Sequence, residues 1–153
     1  MRSGSGPTIL EIWTHPRSLG SWMSRFHEAA PAVPESVGRL RRAVAEFVRT
    51  QGADDEVINS VQLASSEAMS NAVMHAFLDR PQPGTLTICA AREGDEICVV
   101  VRDDGSGMKP RPDSPGLGIG LPLMTGTTQS LKFSEVPEGG TKVTMRFDLP
   151  AAA

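Results

Sequence analysis

No apolar run in this 153-residue chain approaches the ~20 residues that a membrane-spanning helix needs. Its N-terminus, MRSGSGPTILEIWTHP, has one arginine but no continuous apolar stretch, so it does not read as a secretory leader, and the expected location is cytoplasmic. Cysteine is scarce: Cys89 and Cys98 stand alone. They fall in two runs flanking an expected tight turn and could be cross-strand neighbours, but in a reducing compartment they are expected to stay thiols, packed like small apolar residues. No Cys/His spacing suits a metal, and His15, His27 and His75 are too scattered to form a ligand set. Positive charge is not in excess either. Fifteen Lys and Arg face 18 Asp and Glu, a net −3, which excludes a general attraction to nucleic acid or anionic lipid. Arg39, Arg41 and Arg42 form one small basic cluster, read as the solvated face of a helix.

The composition that remains is that of an ordinary globular protein, 39% hydrophobic and 22% charged, with length for one domain and one core. There is no internal repeat and no sign of a second domain. Residues 1–20 read as an N-terminal extension of uncertain structure, holding at most a short strand at Ile9–Trp13, and residues 21–150 as the domain. Ser21–Ala29 suits an edge strand. Pro34 suits the first turn of a helix whose Val37, Leu40, Val44 and Phe47 recur at helical spacing until Gly52. Asp54 can cap a second helix reaching about Leu78, with Val57, Val61, Ala64, Ala68, Ala72 and Ala76 as its apolar stripe. The period then changes to two. Leu86, Ile88 and Ala90, then Ile97, Val99 and Val101, form a hairpin about Glu93-Gly94-Asp95. A short helix near Pro122–Thr125 follows a Gly/Pro-rich stretch. Two more strands close the chain, one with Leu131 and Phe133, the other with Val143, Met145 and Phe147. The expected fold is α+β: a two-layer sandwich, its mixed, mostly antiparallel sheet covered on one face by helices.

Four segments bear on chemistry. On the second helix, Glu67, Asn71 and His75 are spaced four apart and form one polar stripe. Alone it reads as a solvent face, although Asn is a poor mid-helix residue. In Asp103-Asp104-Gly105-Ser106-Gly107 a strand ends at a carboxylate followed by glycines. Such a carboxylate can accept from an exocyclic amine while the glycines admit a flat ring, and a plain turn fits as well. Gly116-Leu117-Gly118-Ile119-Gly120 opens into a helix, where backbone N–H groups and the helix dipole suit a polyphosphate. It is neither a dinucleotide-binding fingerprint, which needs GxGxxG after a strand, nor a Walker loop, which ends Gly-Lys-Ser/Thr. Last, Gly139-Gly140-Thr141 places a hydroxyl within reach of a phosphate, or is a simple hairpin turn.

In this order, these segments resemble the GHKL family of ATPases, which spans gyrase-type ATPases, heat-shock chaperones, sensor histidine kinases and mismatch-repair proteins. The helix motif with Asn, DxGxG, GxGxG and the final Gly-Thr are all present, over about Pro34 to Leu149. The run SEAMSNAVMHAF is most similar to the stand-alone anti-sigma serine kinases. The resemblance implies ATP and Mg²⁺ as cofactors. Asn71 would hold the metal and Glu67 would be the general base. Asp103 would bind the adenine amino group, with Gly105 and Gly107 making room. Gly116, Leu117, Gly118, Ile119 and Gly120 would wrap the phosphates, with Thr141 in support of the adenine pocket. His75 falls at a position often basic in the family, and Asp104 reads as a neighbour of the site. Lys109, in the proline-bearing segment before Gly116, reaches a phosphate or is simply exposed. The implied partners are a sigma factor and an anti-anti-sigma protein of the STAS type, phosphorylated on serine or threonine by a homodimer.

Two rivals stand beside that reading. One is an ATP-binding switch that sequesters a partner without catalysis. The other is the ATPase domain of a histidine kinase, for whose dimerising helical hairpin and sensor this chain has no room. The helix pair before the Asn motif and the Pro150-Ala-Ala-Ala ending favour a complete short protein over a fragment.

Overall fold

The computed structural model describes residues 24–75, 82–105, 126–137 and 139–150, with His75 described by its backbone alone. The elements run β1 (Arg25–Pro31), α1 (Pro34–Thr50), α2 (Asp55–His75), β2 (Thr85–Glu93), β3 (Glu96–Asp103), β4 (Ser130–Glu135) and β5 (Thr141–Asp148). They form one five-stranded sheet in the order β1-β2-β3-β5-β4, with both helices packed on one face. Every described strand pair is antiparallel, so the parallel component of the expected mixed sheet is not found among them. No helix is long and apolar enough to cross a membrane among the described residues.

Local chemistry explains the boundaries. Pro34 stands at the start of α1, where its missing N–H costs nothing, and Glu35 adds negative charge to the first turn. The helix stops at Gly52, whose φ of 92° suits only glycine comfortably. The Gly52 N–H donates to the Arg49 carbonyl and the Ala53 N–H to that of Val48, the paired bonds of a Schellman cap. Asp54 caps α2 as expected, its carboxylate accepting from the Val57 N–H at 2.9 Å. A two-residue turn at Gly94-Asp95 joins β2 to β3, with Gly94 at φ 60° and Glu93 facing Glu96. Beside it, Arg92 donates to the Gly94 and Gln51 carbonyls at 2.9 and 2.7 Å, tying the turn to the end of α1.

The core lies between helices and sheet. Leu40, Val44 and Val48 of α1 meet Val61, Ala64 and Met69 of α2 above Leu86, Ile88, Val99, Val101 and Met145. The expected stripe of α2 is buried at Val61, Ala64, Ala68 and Ala72, and partly at Val57, while Ala76 lies outside the described residues. Ile58, Ser65 and Met69 are buried as well, because α2 packs on α1 at one side and on β3 and β5 at another. β1 is an edge strand, as expected, running Arg25–Pro31, two residues past the expected end at Ala29, while Ser21–Met23 lie outside the described residues. Pro31 pairs with Thr85 at its end, a position where an edge strand tolerates a residue without an N–H. The expected strand at Ile9–Trp13, the short helix at Pro122–Thr125 and the end of α2 to Leu78 fall outside the described residues.

Candidate functional site

The site is assembled by the pairing of β3 with β5. Their antiparallel register sets Arg102 opposite Lys142, so the next step brings Asp103, at the end of β3, alongside Thr141, at the start of β5. Both are buried, at 4% relative exposure each, on the face that carries the helices. The Asp103 carboxylate accepts from the Gly105 N–H at 2.9 Å and from the backbone N–H of Thr141. Burial nevertheless raises its pKa above the ordinary carboxylate value, with a smaller contribution from Asp104, and these two hydrogen bonds and Arg102 oppose the rise.

Gly140 makes this approach possible. Its φ is 100°, and a Cβ built there would sit 1.9 Å from the Asp103 carbonyl oxygen and 2.8 Å from its carbon. No side chain fits, so the β4–β5 turn lies directly against the end of β3. Asp104 points elsewhere: its carboxylate accepts from the Thr85 N–H at 2.7 Å and fixes the start of β2. It is a neighbour of the site, as its sequence suggests.

α2 carries Glu67 and Asn71 across the same two strands, β3 and β5. Asn71 is buried, at 7% exposure, and Glu67 one turn earlier is half-buried. The stripe is therefore not a plain solvent face. Structure thus unites Asp103, Gly105 and Thr141 by direct bonds and sets Glu67 and Asn71 on the helix above the strands that bear them. Gly107, Lys109, Gly116, Leu117, Gly118, Ile119 and Gly120 lie outside the described residues, as does the side chain of His75. Gly140 was not among the site residues expected from sequence. The signal was there, in two glycines before Thr141, but its meaning depends on a strand pairing remote in the chain.

Cys89 and Cys98 sit on adjacent strands but not opposite each other. Cys89 faces Val100 and Cys98 faces Ala91, and both are free, buried thiols. Desolvation pushes the Cys98 thiol up to about 12 and that of Cys89 higher still, so neither is a poised nucleophile.

What this arrangement can bind follows from its donors. A buried carboxylate has about four lone-pair positions, and two backbone N–H groups leave room for an amine on a flat ring. The amide oxygen of Asn71 is a hard ligand of the kind Mg²⁺ accepts alongside phosphates and water. No cluster of three or more His, Cys, Asp or Glu suited to a metal occurs among the described residues, so a metal here would depend on such a shared shell. An open cleft lined by Asp54, Val57, Gly126 and Asp148 lies at the other end of α2, about 21 Å along the helix from Asn71.

Residues 30–147 match the family model described as the histidine kinase-like ATPase domain. The anti-sigma F factor of Clostridium acetobutylicum is 32% identical over 126 residues, covering 75% of this chain and 87% of that protein. The blue-light-activated histidine kinase 2 of Erythrobacter litoralis is 29% identical over 134 residues, covering 86% of this chain but 38% of that one. Among solved structures, the RsbU and RsbW domains of a Mycobacterium tuberculosis protein superpose with a TM-score of 0.67 at 24% identity. That superposition covers 85% of this chain and about a third, 34%, of the other, and it bears on the fold alone.

Proposed function

The chain belongs to the histidine kinase-like ATPase family, and we propose that it is a cytoplasmic anti-sigma factor and Mg·ATP-dependent serine/threonine protein kinase. Its protein substrate is an anti-anti-sigma partner of the STAS type, and its working form is a homodimer. The nucleotide half of this reading is carried by Asp103, a buried carboxylate held by two backbone N–H groups at a turn that only glycine can make. The regulatory half is supported by extent: the Clostridium acetobutylicum anti-sigma F factor is matched over 87% of its length, against 20% for a mycobacterial sensor histidine kinase.

In this mechanism Asp103 accepts the adenine amino group, with Gly105 and Gly107 leaving space for the ring and Thr141 closing its edge. Asn71 would supply an oxygen to Mg²⁺, and the ion's charge would neutralise the phosphates. Gly116, Leu117, Gly118, Ile119 and Gly120 would present backbone N–H groups to those phosphates, where Lys109 would add positive charge and His75 a ring nitrogen. Glu67 takes the proton from the attacking hydroxyl, a contribution of roughly 10²–10⁴-fold in rate. Most of the remaining acceleration comes from positioning and charge neutralisation, because phosphoryl transfer leaves the protein little covalent work.

The test is transfer of the γ-phosphate from labelled Mg·ATP to candidate anti-anti-sigma proteins by wild type, Asn71→Ala and Glu67→Ala. Transfer to a partner serine or threonine by wild type, lost in both variants, is the expected result. ATP binding without transfer to any candidate would replace the kinase by a non-catalytic switch. Failure to bind ATP would overturn the reading altogether.

A further inference from the structure

The sheet has a second face, turned away from both helices. Direct pairing builds it in rows. Arg25, Ala91, Cys98 and Arg146 form one row, and His27, Cys89, Val100, Thr144 and Lys132 the next. No described helix or strand lies over this face, yet its centre is closed. Cys89 and Ala91 are 3% exposed, Cys98 0% and Val100 5%. The closure is local, because His27 at one end of its row and Lys132 at the other are exposed. The Nε of Arg25 is buried too, with no hydrogen-bond partner. An edge-strand guanidinium open to water would keep that group solvated.

The ion pairs of Arg146 with Glu93 and Glu96, at 2.8 and 3.2 Å, shade Cys98 beside them. They do not account for Cys89 and Val100, one row or about 7 Å further along. Desolvation acts more strongly on Cys89 than on Cys98, although Cys98 is the one next to that cluster. The chain shields these residues itself, so the cover is one of its own segments. Residues 106–125 leave from Gly105, which bonds Asp103, and return at Gly126 in the cleft beside α2, so both their ends are on the helix side. Residues 76–81 join α2 to β2 at the far end of the sheet, and residues 151–153 are three alanines. Residues 1–23 lead into Arg25 at the covered end. From β1 to β3 is two strand spacings, about 10 Å, which three extended residues span. This segment carries Ile9, Leu10, Ile12 and both tryptophans of the chain, Trp13 and Trp22.

We propose that residues 1–23 fold back from β1 across the outer face of β2 and β3, seating their tryptophans on Ala91, Cys98, Cys89 and Val100. The small side chains of that floor leave depth for an indole ring, the large-on-small fit that close packing requires. The covered patch is on the face opposite Asp103 and Thr141, and the inference does not depend on ATP binding.

NMR of the full chain tests it directly: NOEs are expected from an indole ring to the methyls of Ala91 and Val100. With two tryptophans and no tyrosine in the chain, fluorescence reports on this segment alone, and native emission is expected to lie to the blue of its position in urea. Trp13→Ser/Trp22→Ser is expected to speed thiol labelling of Cys89 and Cys98 roughly tenfold or more, since the closed state loses the burial of the rings. Asp54→Ala, on the helix side, is expected to change that rate less than about fivefold. Native emission already at its unfolded position, absence of those NOEs, or labelling unchanged in the double variant would overturn the proposal. The same NOEs arising only between labelled and unlabelled chains in a mixed sample would overturn it in favour of a segment exchanged from a second copy.

Discussion

Gly140→Ala is the sharpest perturbation of the site. The new methyl would be placed 1.9 Å from the Asp103 carbonyl oxygen, at a residue whose φ is 100°. The backbone conformation alone costs an L-residue about 1 kcal/mol. The overlap has two outcomes. If the turn stays, overpacking adds about 2 kcal/mol. If it swings away, the Thr141 N–H leaves a buried carboxylate, a loss also of about 2 kcal/mol. Either way the expected destabilisation is about 3 kcal/mol, or roughly 6–12 °C in melting temperature for a domain of this size. Gly94→Ala is the control, since Gly94 has a φ of 60° but nothing within 4 Å of a new Cβ. It should lose only about 1 kcal/mol. Urea denaturation of both variants measures the difference, and nucleotide affinity should fall in Gly140→Ala alone. A Gly140→Ala protein no less stable than Gly94→Ala, with nucleotide binding intact, would refute the reasoning.

Three further outcomes are expected. The Asp103 pKa is raised in the fold, so its contribution to stability is full below the unfolded carboxyl range and is lost as pH rises through the folded value. Asp103→Asn should therefore close its deficit against wild type as pH rises above the ordinary carboxylate range in urea titrations, and a deficit that widens contradicts the burial argument. Cys89 and Cys98 should resist a thiol reagent at about pH 8 in the native protein and both react in denaturant, whereas rapid native labelling would mean that the sheet face opens. Asp54→Ala removes the cap on the Val57 N–H and should cost about 1 kcal/mol in chemical denaturation, with nucleotide affinity unchanged.

Much of the fold is legible in local pattern. Val37, Leu40 and Val44 mark α1, and the alternation through Leu86–Ala90 and Ile97–Val101 marks the hairpin, because each reports burial at its own period. Pro31 hid the true extent of β1, since a proline reads as a stop although an edge strand accepts it. The second buried side of α2, at Ile58, Ser65 and Met69, was missed because one stripe is what a helix shows when a single neighbour covers it. In the site, Asp103, Gly105 and Thr141 were each visible as residue types. Their meeting was not, and neither was the bond from the Thr141 backbone N–H, because both follow from β3 pairing with β5, with β4 lying between them in the chain.

β3 is closed on both sides, with Ile97, Val99 and Val101 beneath the helices and Cys98 and Val100 buried on the other face. Its amides, flanked by β2 and β5, have no route to solvent short of opening the whole sheet, so they should be among the slowest in hydrogen exchange. Asp103 is the last residue of that strand. The acceptor of the site is thereby rooted in the part of the molecule that persists longest, and partial openings elsewhere can admit or release a ligand without disturbing it.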